Sequence, residues 1–290
     1  MFSLLQQSPI ALAAAAFVFG LLVGSFLNVV IHRLPLMLER QWHAQCRELL
    51  EQNTAAEADE PFNLVVPRSR CPQCGHKISA LENVPILSYL FLRGRCAGCG
   101  APISPRYPIV ELVTGLLSGI VAWHLGFSPE TAAALVLTWT LIALSVIDLD
   151  HQILPDAITL PVLWLGLALS LGAVFADPRD SIIGALSGYL ALWAVFWVFK
   201  WATGKEGMGY GDFKLLGMLG AWMGWQLLPL VVILSSLVGA VTGIGLIALQ
   251  GRDHRVPIPF GPFLAAAGWI ALLWGSEITQ AYLRWSGIAH

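Results

Sequence analysis

Eight stretches of this chain are too apolar to face water. They run over residues 9–31, 108–126, 131–147, 157–176, 181–200, 213–226, 227–250 and 262–283. Inside a bilayer no water satisfies the backbone, so a spanning segment must be a helix or part of a closed barrel. Runs of about 20 apolar residues without strict alternation have the length of a helical span. The pattern predicts an all-α polytopic membrane protein, a bundle of about eight transmembrane helices. The run 213–226 is short for a full crossing, which leaves the count open by one. The composition agrees: 57% of residues are hydrophobic and 12% charged, against roughly 25% charged in soluble domains.

The charges are unevenly placed. Residues 32–107 are polar and hold nine of the sixteen Lys and Arg, from Arg33 to Arg106. Basic residues near helix ends collect on the cytoplasmic side, so this segment is placed there and the N-terminus outside. Threading the later runs alternately puts Lys200, Lys205, Lys214, Arg252 and Arg255 inside as well, and leaves only Arg179 and Arg284 outside. No basic residue precedes Arg33, so the first run lacks the charged start of a cleaved signal and is expected to stay as an anchor. Three regions follow: 1–31, a first transmembrane helix; 32–107, a cytoplasmic segment; and 108–290, the remaining bundle. Residues 41–60 read as helix and then as disordered chain, with acids among alanines. Membrane lipid is the expected surroundings, and no nucleic-acid partner is expected.

Glycine recurs as Gly-x-x-x-Gly at Gly20/Gly24, Gly115/Gly119, Gly184/Gly188, Gly220/Gly224 and Gly239/Gly243. This spacing lets membrane helices approach closely. Trp193, Trp197, Trp201, Trp222 and Trp225 read as interfacial anchors. Ser25 and Asn28, near the end of the first run, read as hydrogen-bonding to neighbouring helices.

Four of the five cysteines form two pairs, Cys71-Pro-Gln-Cys74-Gly and Cys96-Ala-Gly-Cys99-Gly, with 21 residues between them. Four thiolates so spaced suit tetrahedral zinc, and a four-cysteine site has no open position for chemistry. The pairs predict a structural zinc knuckle held by Cys71, Cys74, Cys96 and Cys99; redox-active pairs are the alternative. Cys46 has no mate nearby and reads as a bystander.

A carboxylate in a membrane segment costs roughly 2.5–3.5 kcal/mol at mid-membrane on insertion scales and marks a functional site by default. Asp212 closes Gly207-Met208-Gly209-Tyr210-Gly211 and opens an apolar run; Asp148 ends another, ahead of Asp150 and Asp156. The threading puts Asp148 and Asp212 on one membrane face. Two carboxylates that share a proton perform aspartic-protease chemistry. Spacing does not choose among Asp148, Asp150 and Asp156, although Asp148 lies nearest the apolar run. The glycines before Asp212 read as backbone freedom beside a substrate strand, against the plainer reading of a flexible loop with a helix-capping aspartate. His151 reads as structural.

At these residues the chain resembles the prepilin peptidases, bifunctional type IV leader peptidases of bacterial pilus and type II secretion systems. The resemblance covers nearly the whole chain. It rests on Gly24-Ser25-Phe26-Leu27-Asn28 with His32-Arg33-Leu34-Pro35, the cysteine pairs, and Arg106-Tyr107-Pro108 with Glu111. It continues through Asp148-Leu149-Asp150-His151, Pro155-Asp156, Gly209-Tyr210-Gly211-Asp212-Phe213-Lys214 and Pro259-Phe260-Gly261-Pro262. It implies catalytic aspartates at Asp148 and Asp212, in a Gly-x-Gly-Asp motif shared with presenilin-like proteases. It implies cleavage of the basic leader of prepilins and pseudopilins at the cytoplasmic face of the bacterial inner membrane. N-methylation of the new N-terminal residue, usually phenylalanine, would follow, with S-adenosylmethionine as donor. No glycine-rich nucleotide fingerprint follows a strand, so 32–107 is the methyltransferase candidate by resemblance and elimination. Three rivals stand beside this reading. One is a Gly-x-Gly-Asp protease without methylation, against which the cysteine segment argues. Another is a proton-coupled transporter, disfavoured because both aspartates sit at helix ends on one face and no internal repeat is seen. The third is a non-catalytic scaffold.

Overall fold

The structure is a computed structural model and describes residues 2–50, 62–250 and 258–287. Residues 51–60, expected to be disordered, and Arg252 and Arg255, expected to be cytoplasmic, lie outside the described residues. The helices are α1 (Phe2–Gln7), α2 (Pro9–Leu49), α3 (Leu87–Phe91), α4 (Arg106–Leu125), α5 (Pro129–His151), α6 (Asp156–Ser170), α7 (Pro178–Thr203), α8 (Tyr210–Met223), α9 (Leu228–Gln250) and α10 (Gly261–Trp285). Among the described residues the extended pairings are two isolated bridges, Arg70 to Lys77 and Arg95 to Pro102. The protein is all-helical, and each of the eight apolar runs falls on one helix. Among the described residues, five stretches are long and apolar enough to cross a membrane: α2, α4, α5, α7 and Trp225–Gly245, which contains most of α9. Helices α6 and α8 have 15 and 14 residues, about 22 and 21 Å at 1.5 Å per residue, short of a ~30 Å hydrocarbon core.

The first helix does not stop at residue 31. Ser8 caps it by accepting the Ala11 amide at 3.3 Å, Pro9 occupies its first position, and it continues through Pro35 to Leu49. The residues after Pro35 are mostly Leu, Met, Glu, Arg, Gln and Ala, good helix formers that keep winding after the apolar signal ends. A boundary drawn on apolarity alone therefore falls short.

The chain divides into two compact units, Met1–Phe127 and Ser128–His290. In the first, α2 packs along α4. A side chain on Gly20 would meet Ser118 Oγ at 2.5 Å, and one on Gly24 would meet Glu111 Cα at 2.7 Å. The small residues are what let these two backbones come together. Asn28 donates to the Tyr107 carbonyl at 3.1 Å across the same pair.

In the second unit α8 is the central helix, with α6, α7, α9 and α10 packed on it. Phe213, Leu215, Leu216, Met218, Leu219 and Trp222 are all buried, as an all-round apolar helix requires. Gly184 and Gly220 meet at the α7–α8 crossing, where a Cβ on either would collide with the other's carbonyl oxygen. Gly224 has a different role from its motif partner: its φ of +78° ends α8, a conformation glycine adopts without penalty. Trp222 is not an interfacial anchor. It is 1% exposed, and its indole donates to the Val162 carbonyl at 2.8 Å. Trp193, Trp201 and Trp225 are exposed.

Candidate active site and metal centre

Asp148 lies in the last turn of α5. The helix ends at Gln152, which takes the left-handed conformation (φ +54°) and returns its amide to the Asp148 carbonyl at 2.9 Å. A short connection then leads to Pro155 and the start of α6. Of the three carboxylates here, Asp150 and Asp156 are exposed while Asp148 is only 5% exposed. Asp148 Oδ2 accepts the Gly261 amide at 3.1 Å, the first N–H of α10.

Asp212 is the third residue of α8 and is 7% exposed. Its carboxylate reaches back to the amide of Gly209, the cap residue, a reciprocal use of an unsatisfied helix-start donor. Leu154 packs against both Gly211, beside Asp212, and Gly261, whose amide holds Asp148, so the structure brings the two sequence-selected carboxylates into one site. Tyr210 holds the start of α8 against α7, with ring centroids 5.3 Å from Phe196 and 5.5 Å from Phe213.

Leu154 links the two sides of the site. A Cβ on Gly211 would lie 2.8 Å from Leu154 Cβ, and one on Gly261 would lie 3.3 Å from Leu154 Cδ1 and 2.5 Å from Asp148 Oδ2. The glycines around Asp212 thus have physical reasons that differ from the backbone freedom expected of them. Gly209 has φ −80°, and no positive φ falls on Gly207 or Gly211. Gly207 yields to the Phe199 ring, Gly211 yields to Leu154, and Gly209 alone has open space beside it. Outside this layer, Lys214 Nζ donates to both Asp156 oxygens at 2.7 Å. Leu154 was not singled out in the sequence and Lys214 stood in its motif without a role, because their partners are distant along the chain. Gly261 stood in the Pro-Phe-Gly-Pro motif without a role.

In the first unit the cysteine pairs form two matching turns. The Cys71 amide donates to His76 and the Gly75 amide returns to Cys71; the Cys96 amide donates to Ala101 and the Gly100 amide returns to Cys96, all at 2.8–2.9 Å. Gly75 and Gly100 have φ of +72° and +71°, so the glycine after each pair makes the turn possible. Gly98 sits against His76, where a Cβ would approach to 3.1 Å. All four sulfurs lie within 4.8 Å of one another; Cys71–Cys99 and Cys74–Cys96 are each 3.9 Å apart. Tetrahedral zinc–thiolate bonds of 2.3 Å put sulfurs about 3.8 Å apart, so the donor set and spacing fit such a metal. The amides of Cys74 and Gln73 draw the Cys71 thiol down to about 6. The Ala101 amide pulls Cys99 the same way, but sharing protons with Cys74 and partial burial push it up to about 12. Four thiolates together therefore call for a cation.

Three supports of this region were not read from the sequence as such. Glu82 accepts the Ser79 amide at 2.7 Å and pairs with His76 Nε2 at 3.0 Å. Arg33, almost fully buried, donates to the carbonyls of Asn63 and Pro67 at 2.9 and 2.6 Å. Glu111, also buried, accepts the amide of Ile86 at 2.8 Å, with the Ser25 hydroxyl as a further partner. Ile86 has φ +60°, a strained conformation for a β-branched residue, and the carboxylate holds it there.

Fold and sites define a class: an all-helical, multi-span membrane protein with two buried helix-end carboxylates in one unit and a four-thiol cluster in the other. Residues 18–125 match the bacterial peptidase A24 N-terminal domain, and residues 135–244 match the type IV leader peptidase family. The chain is 59% identical over 282 residues to the prepilin leader peptidase/N-methyltransferase of Stutzerimonas stutzeri, covering 97% of each chain. It is 56% identical to the protein of that name from Pseudomonas aeruginosa over 98% of this chain and 97% of the other, and 61% identical to that of Aeromonas hydrophila over 92% of each. No solved structure matches it. The chain belongs to the type IV leader peptidase family.

Proposed function

We propose that this enzyme cleaves the basic leader of prepilins and pseudopilins with Asp148 and Asp212, and then methylates the new N-terminal residue. The observation that carries the first step is the joint burial of these two carboxylates at converging helix ends. One aspartate, ionised, takes a proton from water as its oxygen attacks the scissile carbonyl. The other, protonated, polarises the carbonyl oxygen and then delivers a proton to the leaving amine. The pair titrates as a unit. Gly209, with open space beside Asp212, is where a substrate backbone approaches.

The basic-residue distribution supports an inner-membrane protein with its N-terminus outside and the carboxylates at the cytoplasmic face. Residues 108–290 are the protease bundle and 32–107 the methyltransferase region. S-adenosylmethionine is the donor such a transfer needs. The described residues hold no nucleotide-cradling strand-to-helix turn, since their only extended pairings are two isolated bridges. In 32–107 Cys71, Cys74, Cys96 and Cys99 hold zinc as a structural ion, without an open position for chemistry.

The test co-expresses the protein with a prepilin and compares wild type with Asp148→Asn and Asp212→Asn. Both variants leave the prepilin uncut. Processing that survives either substitution sinks the dyad. Mass spectrometry of the mature N-terminus in the same cells reads methylation.

A further inference from the structure

We infer that the Asp156–Lys214 ion pair, with Leu154 behind it, is a positioning device that sets the register of the two reacting carboxylates. The inference rests on the proposed dyad and adds to it. Asp148 and Asp156 flank one short connection: the former lies in the last turn of α5, the latter is the first residue of α6. Asp212 and Lys214 are two residues apart in the first turns of α8. The pair is therefore a direct ionic link between the start of α6, one short connection from Asp148, and the helix that carries Asp212.

Its geometry is that of a clamp. Lys214 Nζ stands 2.7 Å from both Asp156 oxygens, so one ammonium donates to the whole carboxylate. Beneath it Leu154 fills the space left by two missing side chains, at Gly211 and Gly261. Gly211 adjoins Asp212, and the Gly261 amide holds Asp148. The inner contact fixes how near the start of α8 comes to the connection, and the outer ion pair fixes its slide along α6. The side chains of Lys214 and Asp156 keep 30% and 53% of their exposure. Exposed ion pairs contribute little to stability, so stability alone does not account for a doubly bonded pair at this place. A small displacement of a reacting group is costly to rate.

The test is a double-mutant cycle in kcat and KM with the full-length protein in detergent and a purified type IV prepilin. Asp156→Asn and Lys214→Met each lower kcat roughly tenfold, with KM and the thermal midpoint near wild type. The double variant is no worse than either single one, because both remove the same link. Asp156→Glu keeps the charge and recovers most of the loss. High salt lowers kcat of the wild type toward that of the double variant, without any substitution. Losses that multiply in the double variant, a loss in KM alone, or kcat unchanged in both single variants overturn the clamp. Asp148→Asn and Asp212→Asn run alongside. Activity in either removes the dyad itself, whereas inactive dyad variants beside unaffected clamp variants remove the clamp alone.

Discussion

Gly261 lacks a side chain because the Asp148 carboxylate occupies the place where one would stand. A Cβ there falls 2.5 Å from Oδ2 and 3.2 Å from Cγ, closer than non-bonded atoms settle, and the amide that holds Oδ2 belongs to the same residue. Gly261→Ala therefore leaves a folded protein whose carboxylate is displaced, and prepilin cleavage falls by about a hundredfold. A cleavage assay with a thermal melt checks both halves. Glu82 gives a prediction of another kind. The Ser79 amide, then His76, hold its carboxyl down to about 2. A depressed carboxylate contributes its full stability above its unfolded value, near 4.3, and loses it progressively as pH falls from there through the folded one. Protection of the Ser79 amide against hydrogen exchange should therefore still be largely present at about pH 4, fall progressively below it, and be gone once pH reaches about 2. Fast exchange already at the higher pH would show that the carboxylate does not hold this turn.

The helices show how one motif can have several meanings. Gly-x-x-x-Gly appears in five runs, yet the spacing alone does not say which glycine meets a neighbour. Gly184 and Gly220 face each other at the α7–α8 crossing, while on Gly119 a Cβ would have ordinary contacts, 3.4 Å to the Ala13 carbonyl oxygen and 3.6 Å to Phe17. Gly184→Ala should destabilise the protein by about 1–3 kcal/mol through overpacking, and impair cleavage because α8 carries Asp212. Gly119→Ala should be neutral or gain up to about 1 kcal/mol from helix propensity. Thermal unfolding in detergent separates the two; equal shifts would refute the crossing. Helix existence was legible in the sequence because a bilayer leaves a long apolar run little else to become. Helix ends were less so. The polar continuation of α2 past Pro35 has helix propensity but no apolar signal, and Gly224 ends α8 inside what reads as one packing motif. Trp222 reads like its neighbours until the Val162 carbonyl, 60 residues away, is found beneath its indole.

At the scale of the molecule, what was legible were the residues whose chemistry is local: two cysteine pairs each followed by its turn glycine, and an aspartate at the edge of each of two apolar runs. What was not legible were partners supplied from far along the chain, such as Gly261 for Asp148 and Lys214 for Asp156. These join α5, α6, α8 and α10, and no short window of sequence contains them. The two units also differ in what holds them. The second has a continuous apolar core centred on α8. In the first, α2 and α4 pack through small residues, and the connecting segment rests on the four-thiol cluster, Arg33, Glu82 and Glu111. A structural metal contributes its binding free energy to folding, so its removal should act on the first unit. The double variant Cys71→Ser with Cys96→Ser should lose the proposed zinc and N-methylation, while the α5–α10 bundle keeps its thermal transition and cleavage continues. Metal analysis, a detergent melt and mass spectrometry of the pilin N-terminus read the three quantities on one preparation. If metal-free protein still methylates at the wild-type rate, residues 32–107 do not need the zinc to work. If cleavage is lost in step with methylation, the cluster supports the protease as well, and the division of labour between 32–107 and 108–290 is wrong.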